Sequence, residues 1–582
     1  MARSRVTQLM QQRSTVTKEA RKIVKLLFYR YLKPIFMWNS IYKGIVGVFI
    51  LLWVSFVFLD YVQNHLHYSV GFAYFQYWDL TLILAGLGLG VVGIVTYSRS
   101  RQSNLNLWLN GLSVFLLGLI IILISMYMFQ RKVMNISFPI PLSMFRLSVK
   151  MFFMAFYTYF VVVTCHAVGM YALRTFRFQM NEVARPVVAI AVGIMTLVAI
   201  MFVLGIFSLL KWHVLLILMI GMILITRKEA FPFIAKTLFR PLPIGNIGLL
   251  GIFSFYILLI VVSLNFLQIT IPIPRGWDSV SLYLNVSSLV NDYSGLVQGH
   301  QPYNWSLFMS LGFILFGKAE MALSLSFLGG LLSLFALYYL CKEWLKLRTD
   351  YALLCLLMFY LLPSIAHQSY LDLKVDLGLL FILLTIVVLL VEWQNRLLAA
   401  SDFKSVSRGY MILIGLMTGF AFGIKLTALM VFFAVASVIW YMYNGKIAFL
   451  AVFCMTMFSI LLFRLDDMPN LRQFHLNVET FMWVMLGAGL LLFGWSALKE
   501  RHNFTQSFKL SILYTTFFIL PVLPWLTKNY IETGGQLSVR GLMYGKTRAP
   551  EGNLNQFQKN WEDAYQKPKR KKKKKKGQKK KK

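Results

Sequence analysis

LGIFSFYILLIVVSLNFLQITI, residues 250–271, carries no charged side chain, and PRGWDSVSLYLN, residues 274–285, follows with a single acid, Asp278, behind Trp277. As a helix rising about 1.5 Å per residue, the first stretch reaches about 33 Å, enough to cross a hydrocarbon core of about 30 Å. The chain thus leaves a membrane and at once presents one carboxylate beside an aromatic. Similar apolar runs lie near 44–60, 78–97, 108–128, 151–171, 187–209, 212–226 and 247–268. A second set lies near 320–341, 351–369, 375–393, 409–424, 427–443, 447–464, 478–497 and 509–525. They predict an all-α polytopic fold of about 15 transmembrane spans. The runs are continuous, which argues against the alternating pattern of a transmembrane β-barrel.

Composition agrees. The 582 residues are 58% hydrophobic and 14% charged, with mean hydropathy +0.66, against about 25% charged in an ordinary soluble domain. Too few polar side chains exist to cover a water-facing surface of this size. Cys165, Cys341, Cys355 and Cys454 sit in or at the edges of apolar runs with no C-x-x-C, so they read as reduced, lipid- or core-facing thiols. The net charge of +36 is concentrated at the ends. Residues 1–43 hold ten Lys/Arg and one acid, Glu19, and the chain finishes KPKRKKKKKKGQKKKK. Such termini are expected to be disordered and to meet anionic membrane lipids; no nucleic-acid partner is expected. No cleavable signal peptide is apparent before the first apolar run.

Four regions follow: a basic cytoplasmic segment, 1–43; a membrane region of about six spans, 44–245; a membrane core, 246–535; and a basic tail, 536–582. Positive-inside bookkeeping places Arg99/Arg101, Arg227/Lys228/Lys236/Arg240, Lys342/Lys346/Arg348 and Arg396/Lys404/Arg408 in cytoplasmic loops. The loop 269–319 then lies outside. The loop 129–150, with Arg131, Lys132, Arg146 and Lys150, also falls outside and breaks the rule. If 409–424 and 427–443 are separate spans, the C-terminal tail lies outside; if they form one helix, the tail lies inside together with PWLTKNY. The first alternative is favoured, because long tails obey charge rules poorly.

Polar groups gather in the second half. In the 269–319 loop, the 278–291 stretch and NWSLFMSLGFILFG are expected to be helices lying in the outer interface, forming a cradle over a pocket. HQSYLDLKVDLGLLF, residues 367–381, adds His367, Asp372, Lys374 and Asp376 on the same side. LDDMPNLRQFH, 465–475, adds Asp466, Asp467, Arg472 and His475; PWLTKNYIETGG, 524–535, adds Lys528 and Asn529; Lys425 sits at a span junction. Ionisable groups at membrane depth are costly and are functional candidates by default. Cations suit a phosphate and a carboxylate suits a general base. Solvation alone explains Asp466, Asp467 and His475 better, and His166 and His213 read as packed or interfacial histidines.

The order of these pieces is the informative feature. WDSVSLYL, GHQPYNWSLFMSLGFILFG, SYLDLKVDLGLLF, GLMTGFAFGIKLTALM and LPWLTKNYIETGG together resemble the polytopic GT-C glycosyltransferases, in particular the protein O-mannosyltransferase and aminoarabinose-transferase superfamily, over roughly 246–535. The resemblance implies transfer of a sugar from a polyprenyl-phosphate donor on the extracytoplasmic face, with Asp278 as catalytic base and Lys374, Lys425 and Lys528 holding the lipid phosphate. Trp277, His300, Tyr303, Asp372, Asp376 and Asn529 complete the implied substrate site. No metal ligand set is assigned, and a divalent cation is left open. Ser279 stands where many relatives carry a second acid, and HQPYNW replaces a basic-Pro-Pro segment. The implied setting is a multi-pass protein of a bacterial cytoplasmic membrane serving envelope glycan, lipid or protein acceptors. A transporter or flippase of lipid-linked saccharides is the alternative, against which stands the lack of likeness between 1–245 and 246–530. A non-catalytic scaffold is a third.

Overall fold

Backbone polar groups in a bilayer must satisfy one another, so long apolar runs can only be helices or a closed barrel. In the computed structural model they are helices. It describes residues 110–133, 142–176, 178, 180–240, 247–270, 276, 278–370, 372, 374–399, 403–462, 478–499, 501–535 and 542. The expected spans 44–60 and 78–97, the two basic termini, Trp277 and the 465–475 loop lie outside the described residues. By its contacts the chain divides into two units, and the architecture that follows is that of the described residues of Tyr77–Tyr360 with Ser364–Lys582.

The helices are α1 (Gly111–Val133), α2 (Leu142–Thr175), α3 (Ala184–Ile206), α4 (Trp212–Ile225), α5 (Arg227–Ile234) and α6 (Leu249–Gln268). A π-helical turn, Ser279–Leu284, leads into α7 (Asn285–Asp292), then α8 (Asn304–Phe316), α9 (Ala319–Tyr339), α10 (Thr349–Tyr360) and α11 (Pro363–Tyr370). The set ends with α12 (Asp376–Ala399), α13 (Phe403–Ile424), α14 (Leu429–Leu462), α15 (Val478–Lys499) and α16 (Arg501–Glu532). Among the described residues there is no strand, and nine helical segments are long and apolar enough to cross a membrane. The protein is an all-α, multi-pass membrane protein.

Burial sorts these helices into centre and rim. The most apolar windows of α9 and α13 are 78% buried within the protein, while that of α15 is only 11% buried. On α15, Trp483, Leu491, Trp495 and Leu498 are exposed, as suits a face covered by lipid. One continuous core runs from Met154 on α2 through α3, α8, α9, α12 and α13 to Trp525 on α16. Small residues let the central helices meet: a Cβ on Gly329 of α9 would lie 2.6 Å from the Gly378 nitrogen of α12.

Three sequence expectations are corrected. NWSLFMSLGFILF, expected to lie along the outer interface, is not a surface helix of the bundle. It is α8, buried inside the bundle, with Trp305, Leu307, Phe308, Met309 and Leu311 all at 0% exposure. Thirteen residues rise only about 20 Å, too short to cross alone, and a largely apolar helix is covered by lipid or by protein; here protein covers it, and Gly317, at φ 62°, ends the helix. The expected span 351–369 is two helices, α10 and α11, because Pro363 lacks an N–H and disfavours helix before it. The 212–226 run yields α4 of 14 residues, short of a full crossing.

The stretches 427–443 and 447–464 both fall in α14, which breaks at Gly445 (φ 73°, ψ −160°). The Tyr441 and Phe449 rings are 6.2 Å apart, whereas eight residues of straight helix climb about 12 Å, so the chain folds back there. Phe458 meets Trp483, and a Cβ on Gly489 would lie 2.9 Å from the Met455 sulfur and 3.4 Å from the Ala451 carbonyl, which runs the second half of α14 antiparallel to α15. A separate break precedes α14: Lys425 is extended (φ −154°, ψ 131°), so α13 and α14 are not one helix. The C-terminal end of α16 therefore reaches the end of the bundle that holds the 269–319 loop, where the Gly299 N–H donates to Glu532 at 2.9 Å.

Candidate functional site

A helix N-terminus favours an acid, and α12 opens on Asp376. The antiparallel neighbour α13 ends one residue before Lys425, so the two side chains meet: Lys425 Nζ lies 2.6 Å from Asp376 Oδ1. Just upstream of α12, Asp372 and Lys374 pair at 2.6 Å. The Ser326 hydroxyl on α9 donates to the Lys374 carbonyl at 2.5 Å, which pins this segment to the central helix.

Asp278 reaches the same place from the loop after α6. It opens the π-helical turn without spending its side chain on a cap hydrogen bond, and turns of this kind often mark functional positions. Its carboxylate is 3.3 Å from Lys374 Nζ. Lys374 therefore bridges two acids of opposite character: the Asp278 side chain is 59% exposed, that of Asp372 only 9%. Asp372 also accepts a hydrogen bond from the Ser279 hydroxyl. A Cβ on Gly276 would stand 1.6 Å from Asp372 Oδ1, so the glycine is what lets this carboxylate approach the loop backbone.

The two ion pairs are neighbours. Tyr283, on the π-turn, is influenced by Lys425, Asp376, Asp278 and Lys374 together, and burial above all raises its pKa, so it remains a hydroxyl. Burial pulls the Lys374 ammonium down, but Asp372 and then Asp278 outweigh it and the pKa stands above the ordinary lysine value. Lys425 behaves likewise through Asp376, and it is also influenced by Lys374. Both lysines are cations at neutral pH. Three carboxylates and two ammoniums thus share one end of the bundle.

The remaining expected residues come to this end but are otherwise engaged. Lys528 pairs with Glu532 at 2.8 Å, and its side chain is 10% exposed. Asn529 is buried and donates to the Leu542 carbonyl at 2.9 Å. His300 contacts the Gln301 carbonyl at 3.0 Å; burial lowers its pKa, so the ring is neutral at pH 7. Tyr303 is buried against Trp525, with ring centroids 4.5 Å apart, and its hydroxyl accepts from the Val297 N–H at 2.7 Å. These four residues build the wall of this end, and the accessible chemistry is at the exposed Asp278 and the partly buried Lys374 and Lys425. His367 lies on α11, half-buried. Away from the site, His166 stacks on Phe233 at 3.7 Å, as a packed histidine does.

Sequence reasoning missed Gly276, Ser279, Tyr283, Ser326 and Glu532. Glu532 was legible as an i, i+4 partner of Lys528, and Ser279 was noticed only as a departure from an acid pair. The other three are recruited by the fold and carry no local signal. Asn304 ties the floor: its amide donates to the Phe420 carbonyl at 2.9 Å and its oxygen accepts from the Trp525 indole at 2.8 Å.

Among the described residues, no three His, Cys, Asp or Glu side chains converge at metal-ligand spacing; an ammonium, Lys374 Nζ, stands between Asp278 and Asp372. The arrangement offers an exposed carboxylate able to take a proton beside two cations able to hold an anion. Comparison with models of protein families, with curated proteins and with solved structures gives no match.

Proposed function

We propose that the protein is a membrane glycosyltransferase that moves a sugar from a polyprenyl-phosphate donor to a hydroxyl acceptor on the extracytoplasmic face of a bacterial cytoplasmic membrane. One observation carries the reading: Asp278, Lys374 and Lys425, separated by up to 147 positions in sequence, are gathered by two neighbouring ion pairs at one end of a membrane bundle. A membrane-borne substrate with an anionic headgroup fits that place. Its tail stays in hydrocarbon while the phosphate meets the lysines.

The chemistry is an inverting displacement. Asp278 takes the proton of the acceptor hydroxyl, and the acceptor oxygen bonds to the anomeric carbon. The bond from that carbon to the phosphate oxygen breaks, and the electron pair leaves with polyprenyl phosphate. Lys374 and Lys425 stabilise the charge that grows on the departing phosphate.

Charge distribution supports the face assigned. Arg174 with Glu229, Arg348 with Asp350, and the Trp393–Ser407 contact all lie at the end opposite the site. The cation-rich segments 227–240, 342–348, 396–399 and 403–408 belong to that end, the cytoplasmic one by the positive-inside rule. Lys150, bonded to Glu320 and to the Thr270 carbonyl, lies at the site end and remains the exception.

Asp278→Asn tests the base. The side chain is exposed, so the variant is expected to fold and to lose sugar transfer by a factor of about 100 or more. Transfer at the wild-type rate by folded Asp278→Asn overturns the assignment.

A further inference from the structure

Lys374 is shared unequally. Its ammonium has three N–H donors. One contact, 2.6 Å to Asp372, is short and shielded; the other, 3.3 Å to Asp278, is long and open to water. Asp372 is fixed in place, because its second oxygen accepts the Ser279 hydroxyl and Gly276 packs against it. Asp278 has solvent around more than half of its side chain. The backbone of Lys374 is itself held by Ser326. An anion arriving from outside therefore meets a lysine with one permanent partner and one that can be displaced.

From this we infer that Asp372 is a positioning residue that keeps Lys374 in the site while the donor phosphate displaces Asp278 from it. Donor binding and release of the base become one event. Before the donor arrives, Asp278 is neutralised by Lys374. Once the phosphate takes the ammonium, the Asp278 carboxylate is released from that contact and is free to meet the acceptor hydroxyl, beside the anomeric carbon that the same phosphate carries. The arrangement limits proton abstraction to the donor-loaded site. The inference rests on the transferase reading and adds to it an order of events and a role for a residue that does not touch the reacting atoms.

The experiment is equilibrium binding of polyprenyl phosphate, without sugar, to the full chain in lipid nanodiscs, with the matching polyprenol as the phosphate-free control. Asp278→Asn removes the competitor, so it should bind polyprenyl phosphate about 2- to 5-fold more tightly than wild type. Asp372→Asn removes the permanent partner and should bind it roughly tenfold more weakly. Polyprenol should bind all proteins alike, a pattern that a purely structural lesion would not produce. If Asp372→Asn fails to fold, Ser279→Ala, which deletes only one hydrogen bond to Asp372, should show a smaller loss in the same direction. Equal or weaker binding by Asp278→Asn overturns the inference, as does unchanged binding by Asp372→Asn or, in its place, by Ser279→Ala. Sugar transfer by wild type alongside such a result leaves the transferase reading standing. Failure of wild type to bind polyprenyl phosphate at all overturns both.

Discussion

Gly378→Ala probes the unexpected placement of α8. Gly378 lies two residues into α12 from Asp376, and a Cβ there would sit 2.1 Å from two ring atoms of Trp305 and 2.6 Å from a third. Ordinary carbon contacts are about 3.5–4.0 Å, so the indole must retreat by about 1.5 Å. Trp305 is 0% exposed and has no open side to retreat into; α8 and α12 must separate instead. Overpacking of this kind costs about 1–3 kcal/mol, and the overlap argues for the upper part of that range. Alanine regains about 1 kcal/mol of helix propensity, leaving a net loss of about 1–2 kcal/mol. Gly221→Ala is the control, because a Cβ on that α4 residue meets nothing within 4 Å and only the propensity gain remains. Thermal unfolding in detergent, followed by intrinsic fluorescence, should rank Gly221→Ala at or above wild type and Gly378→Ala below it. Gly378→Ala should also weaken polyprenyl-phosphate binding, since Asp376 moves with its helix. Equal stability of the two variants would refute the wedging of α8 between α12 and its neighbours and, with it, the floor assigned to the site.

Three further outcomes are expected. Lys425→Met and Asp376→Asn should each lower stability, and the double variant should recover part of the loss, with a coupling of about 0.5–1 kcal/mol once solvent screening of these partly exposed groups is counted; additive losses in thermal unfolding would deny the pair. Lys374 and Lys425 stand above the ordinary lysine value of about 10.5, so their pairs contribute fully below that pH and are lost as pH rises through the raised folded values. Unfolding temperature should hold from pH 7 to about 9 and fall above about 10.5, less steeply in a Lys374→Met/Lys425→Met variant; identical slopes would show that these pairs do not set the alkaline limb. Trp525→Phe removes the indole donor to Asn304 and leaves a buried amide oxygen unsatisfied, a loss of about 1–3 kcal/mol measurable by the same unfolding assay; an unchanged midpoint would mean that Asn304 finds another donor.

The apolar runs were legible because each is long, uncharged and helical by necessity in lipid. Asp278 was legible because it is a lone acid at a membrane exit, and Asp372, Lys374 and Asp376 because charges at the mouth of an apolar run are conspicuous. The burial of α8 was written in its sequence as an apolar surface on every side, but its length fits an interfacial helix equally well, and only its neighbours decide. Pro363 did signal the break between α10 and α11, although the surrounding hydropathy obscured it. Gly445 is different: a glycine inside an apolar stretch is compatible with a continuous helix, and the reversal shows only in the Tyr441–Phe449 contact. Lys528 reads as a phosphate ligand from its motif, and the pairing with Glu532, one turn on, is what the motif alone does not show. Tyr283 and Ser326 carry no local mark at all, since their place beside Lys374 depends on how α9, α12 and the π-turn converge.

The most direct measurement is release of polyprenyl phosphate from a polyprenyl-phosphate sugar by purified wild type and Asp278→Asn, followed together with donor binding in the same samples over a panel of hydroxyl acceptors. Binding by both proteins with turnover by wild type alone is the predicted result. Binding by both with turnover by neither would contradict transfer and favour movement of the lipid-linked sugar across the membrane.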